Sequence, residues 1–169
     1  MKNWIICTLL SAGLFISATA QEYTHALGIR LGASSGIDYN LFVTDKLAFN
    51  GLLTSRYGGM MLVTMLTAYR PVLTGKTDQL YFFGGGGIHV GYMRGSHYSP
   101  FFNDFYPHEI YDITGPAFGL EAIVGLEYRL KKWPVTLGIN YKPSYDVLQP
   151  QYYWLGTDDF GLTARYIFN

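Results

Sequence analysis

The sequence predicts an all-β protein: an eight-stranded antiparallel transmembrane up-and-down β-barrel, preceded by a cleaved signal peptide. Three observations lead there. Apolar and polar residues alternate with period two along most of the chain, the period of strands rather than helices. Aromatic residues make up 17% of the chain and charged residues only 14%, and its one cysteine lies at position 7, so no disulfide is available to brace a small exported domain. Beyond the leader, no apolar run approaches the length of a membrane-crossing helix. A barrel resolves this combination, because its strands alternate between lipid and interior.

The leader comes first. Lys2 precedes an apolar core from Trp4 to Ile16, and Ala18-Thr19-Ala20 supplies a small-x-small site, so cleavage is expected before Gln21. This divides the chain into a signal peptide, 1–20, and an outer-membrane barrel domain, 21–169. Cleavage would remove Cys7, and with it any cysteine-based metal or nucleophile site. Lys and Arg total 12, as do Asp and Glu, so losing Lys2 leaves one net negative charge. Nucleic-acid binding, which needs a concentrated basic surface, is not expected.

Eight strands follow in order. Leu27, Ile29 and Leu31 alternate with Gly28, Arg30 and Gly32; Ile37, Tyr39, Leu41 and Val43 alternate with Asp38, Asn40 and Phe42. Over 47–57, Phe49, Gly51, Leu53 and Tyr57 oppose Asn50, Leu52, Thr54 and Arg56. Over 60–70, Met61, Val63, Met65 and Tyr69 read as the apolar face, leaving Thr64, Ala68 and Arg70 inward. The fifth strand contains the run "FFGGGGIHVGY", with Phe82, Ile88, Val90 and Tyr92 outward and Phe83, Gly85, Gly87, His89 and Gly91 inward. Strands over 117–130, 135–142 and 160–168 repeat the scheme, with Gly119, Glu121, Gly125, Glu127, Arg129, Thr136, Gly138, Asn140, Lys142, Gly161, Thr163 and Arg165 inward.

The sense of the alternation distinguishes this barrel from a soluble one, which would be apolar inside. Here the nearly unbroken apolar face is the one suited to lipid, and Tyr and Phe recur near strand ends, as an aromatic girdle requires. Turns around Thr44-Asp45-Lys46 and Lys131-Lys132-Trp133-Pro134 are short, whereas 94–115 and 144–157 are long. Short periplasmic turns and longer external loops place these two segments outside. Two tight external hairpins, near Ser34-Ser35-Gly36 and Tyr57-Gly58-Gly59, and a longer turn at 71–79 depart from that rule.

Four blocks, "GIRLGASSGIDY" (28–39), "YFFGGGGIHVGY" (81–92), "VGLEYRLKKWPVTLGINYKP" (124–143) and "FGLTARYIF" (160–168), resemble small eight-stranded outer-membrane barrels of the Bacteroidota type. The resemblance implies an integral outer-membrane location in a Gram-negative cell envelope and a barrel like the OmpA transmembrane domain. It implies no activity and no catalytic residues. Tyr166 and Phe168 also resemble the terminal aromatic signal read by the barrel-assembly machinery, although Asn169 follows where a Phe is usual.

Candidate chemistry is limited. "GKT" at 75–77 lacks a glycine five residues earlier, where Arg70 stands, and the glycine run fails GxGxxG, so no nucleotide or other cofactor is expected. The inward glycines are expected to leave room for long arginines. Arg30, Asp38, Arg56, Arg70, His89, Glu121, Glu127 and Arg165 form the expected interior polar network, because an eight-stranded barrel is filled by side chains and buried charge needs partners. Glu121 and Glu127 are expected to pair with arginines. Outside, His97, Phe101, Phe102, Phe105, Tyr106, His108, Tyr152, Tyr153 and Trp154 are candidates for binding an extracellular protein or glycan. Asp104, Glu109, Asp112, Asp146, Asp158 and Asp159 are expected to make that face anionic. The leading expectation is a monomeric, non-enzymatic barrel embedded in outer-membrane lipid, without metal or cofactor. The alternative is a lipid-modifying enzyme, of the lipid A deacylase or acyltransferase type, with a rim site near His97, Ser99 and His108.

Overall fold

A computed structural model describes residues 24–56, 58–72, 79–94, 96–97, 111–112, 114–148 and 154–169. The strands are β1 (His25–Gly32), β2 (Ser35–Thr44), β3 (Leu47–Arg56), β4 (Gly59–Pro71), β5 (Leu80–Met93), β6 (Gly115–Arg129), β7 (Val135–Tyr141), β8 (Ser144–Leu148), β9 (Trp154–Gly156) and β10 (Phe160–Phe168). They build eight antiparallel staves, the seventh being β7 with β8 and the eighth β9 with β10. Each stave pairs with its sequence neighbours, and β1 pairs with β10, so the sheet closes; among the described residues of this sheet β9 alone is paired on one side only, with β8.

Local chemistry makes the turns. Thr44 Oγ1 accepts from the backbone N–H of Leu47 (3.1 Å), closing the β2–β3 turn. Ser35 Oγ accepts from Gly32 N and donates to Gly32 O, closing the β1–β2 turn. Gly58 lies in the left-handed region at φ 67°, which a two-residue turn between Arg56 and Gly59 needs. We call this rim, with 33–34 and 58, the loop end. The opposite rim, with 45–46 and 130–134, is the turn end. There the first and last described residues meet: Thr24 N donates to Asn169 Oδ1, and His25 stacks on Phe168.

The seventh and eighth staves run further than their periodicity indicates. Pro143 has no N–H to give the ladder, which divides β7 from β8, yet register persists because Ala122 N donates to Pro143 O at 2.9 Å. Between the pairs Tyr141↔Phe160 and Ser144↔Gly156 the eighth stave holds one residue more than the seventh. That is a β-bulge, and it re-aims side chains. The expected external loop 144–157 is therefore largely barrel wall, with only 149–153 between β8 and β9 outside the described residues. In the 94–115 segment, Ser96–His97 pairs with Tyr111–Asp112 and extends the hairpin.

The outer face is apolar along every stave, with Phe49, Tyr128, Trp133, Tyr166 and Phe168 exposed towards the turn end and Tyr92, Phe118, Tyr145 and Phe160 towards the loop end. The inner face is not purely polar. Ala48, Leu52, Val63, Met65, Tyr69, Tyr81, Phe83 and Ile123 form a buried apolar cluster, supplied mainly by β3, β4 and β5. Here β4 corrects the sequence reading: Met61, Val63, Met65 and Tyr69 face inward, whereas Arg70 is exposed on the outer face. Both faces of this stave are apolar, so alternation alone does not orient it. Pairing of Val63 with Leu52 and of Met65 with Asn50 does.

The glycine run is the middle of β5, with Gly85 opposite Thr67 and Gly87 opposite Met65. Its inward members do not make room for arginines. A Cβ at Gly87 would meet the backbone of β4, with Met65 Cα 2.6 Å away, and one at Gly85 would meet Thr67 Cα at 2.7 Å. Close backbone approach demands glycine there. Gly84 faces outward, where a Cβ would find only ordinary contacts, the nearest at 3.6 Å. Gly87→Leu should therefore abolish the heat-modifiable electrophoretic mobility of a folded barrel, whereas Gly84→Ala should retain it. Adding a soluble nucleotide should not shift the melting temperature of the wild-type chain.

Candidate functional site

The interior holds two ionic clusters. At the turn end, Arg165 Nη1 donates to Glu127 Oε2 (2.6 Å) and Arg165 Nη2 to Asp38 Oδ2 (2.7 Å). Asn50 Nδ2 donates to the other Asp38 oxygen, and Asn40 Nδ2 to Tyr69 Oη. Arg129 closes this end, its guanidinium 3.8 Å from the centroid of the Tyr81 ring and 5.5 Å from that of Phe42. Its Nε lies 3.5 Å from Glu127. Two arginines thus face two carboxylates.

The loop-end cluster is larger and centres on Asp159, which lies just before β10 and is buried in the interior. Arg30 Nη1 donates to Asp159 Oδ1 (2.8 Å), Ser34 Oγ donates to Oδ2, and Lys142 Nζ lies 3.2 Å from Oδ2. Arg56 reaches Asp158 at 2.9 Å and Asp159 at 3.9 Å, and also donates to Ser144 Oγ. Arg30 Nε donates across to Asn140 Oδ1. Lys142 also donates to Glu121 Oε2 (2.9 Å), linking Asp159 to His89. The imidazole lies between two carboxylates, Nε2 2.7 Å from Asp146 Oδ1 and Nδ1 3.1 Å from Glu121 Oε1. Burial works against ionising Asp159, which precedes the strand β10. Lys142, Arg30, the Ser34 hydroxyl and Arg56 together outweigh burial and hold its carboxyl below the usual carboxylate range.

Of the residues assigned inward from the sequence, Arg30, Asp38, Arg56, His89, Glu121, Glu127 and Arg165 are all at most 4% exposed, and Arg70 is not among them. Glu127 pairs with Arg165; Glu121 is corrected, its partners being Lys142 and His89 rather than an arginine. Asp146 and Asp159, assigned to an anionic outer face, are buried, and Asp158 is turned towards Arg56. Sequence reasoning missed Asp159 as the hub. The available signal was parity: 159 continues the inward series of Arg165, Thr163 and Gly161. His97 lies in the short ladder opposite Tyr111, and Trp154 opens β9. Ser99, Phe101, Phe102, Asp104, Phe105, Tyr106, His108, Glu109, Tyr152 and Tyr153 lie outside the described residues.

A closed antiparallel eight-stave wall around a packed, charge-paired interior defines an OmpA-like barrel fold. No family model matches the chain, and no curated protein does. Among solved structures, the chain is similar to the N-terminal beta-barrel domain of Pseudomonas aeruginosa OprF, with a TM-score of 0.58 and 11% identity over 88% of this chain and 100% of that one. At that identity the likeness concerns the fold.

Removing one member of a buried ion pair strands its partner, at about 3–5 kcal/mol. Arg165→Ala should lower unfolding stability in detergent by about that much, whereas Arg70→Ala should change it by no more than about 0.5 kcal/mol, the scale of surface substitutions. Because the folded Asp159 carboxyl titrates below its unfolded value, its contribution is present above about pH 4 and declines as pH falls through the folded value. Thermal melts of wild type and Asp159→Asn should therefore differ most near neutrality and converge in acid.

Proposed function

We propose that the chain is an integral outer-membrane barrel, exported by the 1–20 signal peptide and inserted by the barrel-assembly machinery, with a non-enzymatic role. One observation carries this reading: along the staves the outer face is apolar and exposed, while most of the charge is buried inside, the inverse of a soluble barrel. The belt of Leu, Ile, Val and aromatic side chains on the outer face fits hydrocarbon flanked by two girdles. The four blocks resembling Bacteroidota-type barrels fall on the wall and its turns, which supports the same type of protein.

Inside, cross-linked ion pairs take the place a pore would need, so the barrel acts as an anchor. Its task is envelope structure or presentation of the segment 98–110, whose aromatic residues would bind an extracellular protein or glycan. Closure of the sheet through β1 and β10 suits a monomer. Fractionation tests the location, and single cysteines test orientation. Asn103→Cys should react with an impermeant maleimide on intact cells, and Lys132→Cys only after permeabilisation. Recovery of the chain in the soluble periplasmic fraction would sink the reading. Deleting 98–110 should leave a folded barrel and abolish surface binding.

A further inference from the structure

The outer face is not uniformly convex. A groove of about 460 Å³ crosses it from the turn end, at Leu80 and Tyr128, to the loop end, at Leu31. Between them it is lined by Leu137, Gly138 and Ala164. Register makes the groove continuous: Tyr128 pairs with Leu137, Leu137 with Ala164, and Ala164 with Ile29. This volume is that of a small-ligand site, commonly about 300–1,000 Å³.

The β6–β7 turn lies at the foot of the groove, two residues beyond the Tyr128↔Leu137 pair, and carries exposed Lys131, Lys132 and Trp133. Among the described residues of that rim, Asp45 is the sole exposed side-chain carboxylate, and it belongs to a different turn. An apolar channel ending in two ammonium groups and an interfacial tryptophan is complementary to an acyl chain joined to an anionic phosphate.

We infer that this groove binds one glycerophospholipid of the leaflet at the turn end, with an acyl chain along Leu137 and Ala164 and its phosphate at Lys131 and Lys132. The inference rests on the membrane-embedded reading above. A second copy fits less well. Two barrels sharing one membrane orientation and this face would bring both Lys131-Lys132 pairs to the same depth and oppose like charges.

The test uses the barrel refolded from lipid-free material into detergent, incubated with palmitoyl-oleoyl phosphatidylglycerol and weighed by native mass spectrometry. The wild type should retain one phospholipid. The Lys131→Ser/Lys132→Ser double variant should lose at least about fivefold in retention, given the usual contribution of a lysine near an anionic lipid surface. Ala164→Trp, which fills the groove from the lipid side, should lose it as well. Both variants alter outward-facing positions, exposed at Lys131 and Lys132 and half-buried at Ala164, and heat-modifiable mobility verifies their folding. Equal retention by all three proteins would overturn the inference. So would preferential retention of lipid A, or a dimer that Ala164→Trp dissolves. Failure of the chain to reach the outer membrane would sink the proposed function, whereas a membrane-embedded barrel that retains no phospholipid would sink only this inference.

Discussion

Asp159 is the point at which the loop half of the barrel is tied together. Its carboxylate meets Arg30 from β1, Ser34 from the first hairpin, Arg56 from β3 and Lys142 from the break between β7 and β8. The first and seventh staves are hydrogen-bonded neighbours of the eighth, and Lys142 N donates to Asp159 O at 2.8 Å, so Arg56 on the third stave is the partner that the sheet does not already bring alongside. The contact exists because Asp159 keeps the inward parity of Thr163 and Arg165 at the loop end of the last stave. Buried charge is tolerated there only because every cation has an acid within reach. An interior of eight staves is narrow enough to enforce that proximity.

The two ionic clusters and the apolar cluster divide the lumen unevenly. β3, β4 and β5 contribute leucine, valine, methionine and aromatic side chains, and most of the charge comes from the other walls, Arg56 of β3 and His89 of β5 excepted. The glycines of β5 belong to this division. By letting β4 approach closely, they draw Met65 and Tyr69 into contact with Phe83, whose ring stacks 5.2 Å from that of Tyr69. The hydroxyl of Tyr69 then reaches Asn40 and joins the apolar wall to the turn-end cluster.

Alternation made most of this architecture legible. Eight staves, their outward faces and the inward charges of β1, β2, β3, β5, β6 and β10 all follow from period two, because a charge on one face of a strand decides which way it points. Where both faces are apolar the pattern is silent, and β4 was oriented by its partners. Arg70, at the end of that stave, was misleading because a charge near the rim can sit outside. The polar run 144–157 read as loop, and Asp158 and Asp159 beside it as part of the outer face, because tyrosines, acids and a proline mimic loop composition. Its acids were destined for cations on staves far away in sequence, which no local pattern reveals. Lys142 stood at an inward position, but its partners could not be named before closure was known.

Those partnerships span nearly the whole chain. Arg30 and Asp159 are separated by 129 positions, and Arg165 and Asp38 by 127. A nascent barrel that has laid down its first six staves therefore carries Arg30 and Asp38 with no counter-ion from the eighth, while the apolar β3–β5 wall is already complete. Long-range closure is entropically slow, and until it occurs an open sheet would leave these charges without their partners. Assembly of this molecule is consequently a problem of timing: its first stave must be sheltered until its last one arrives.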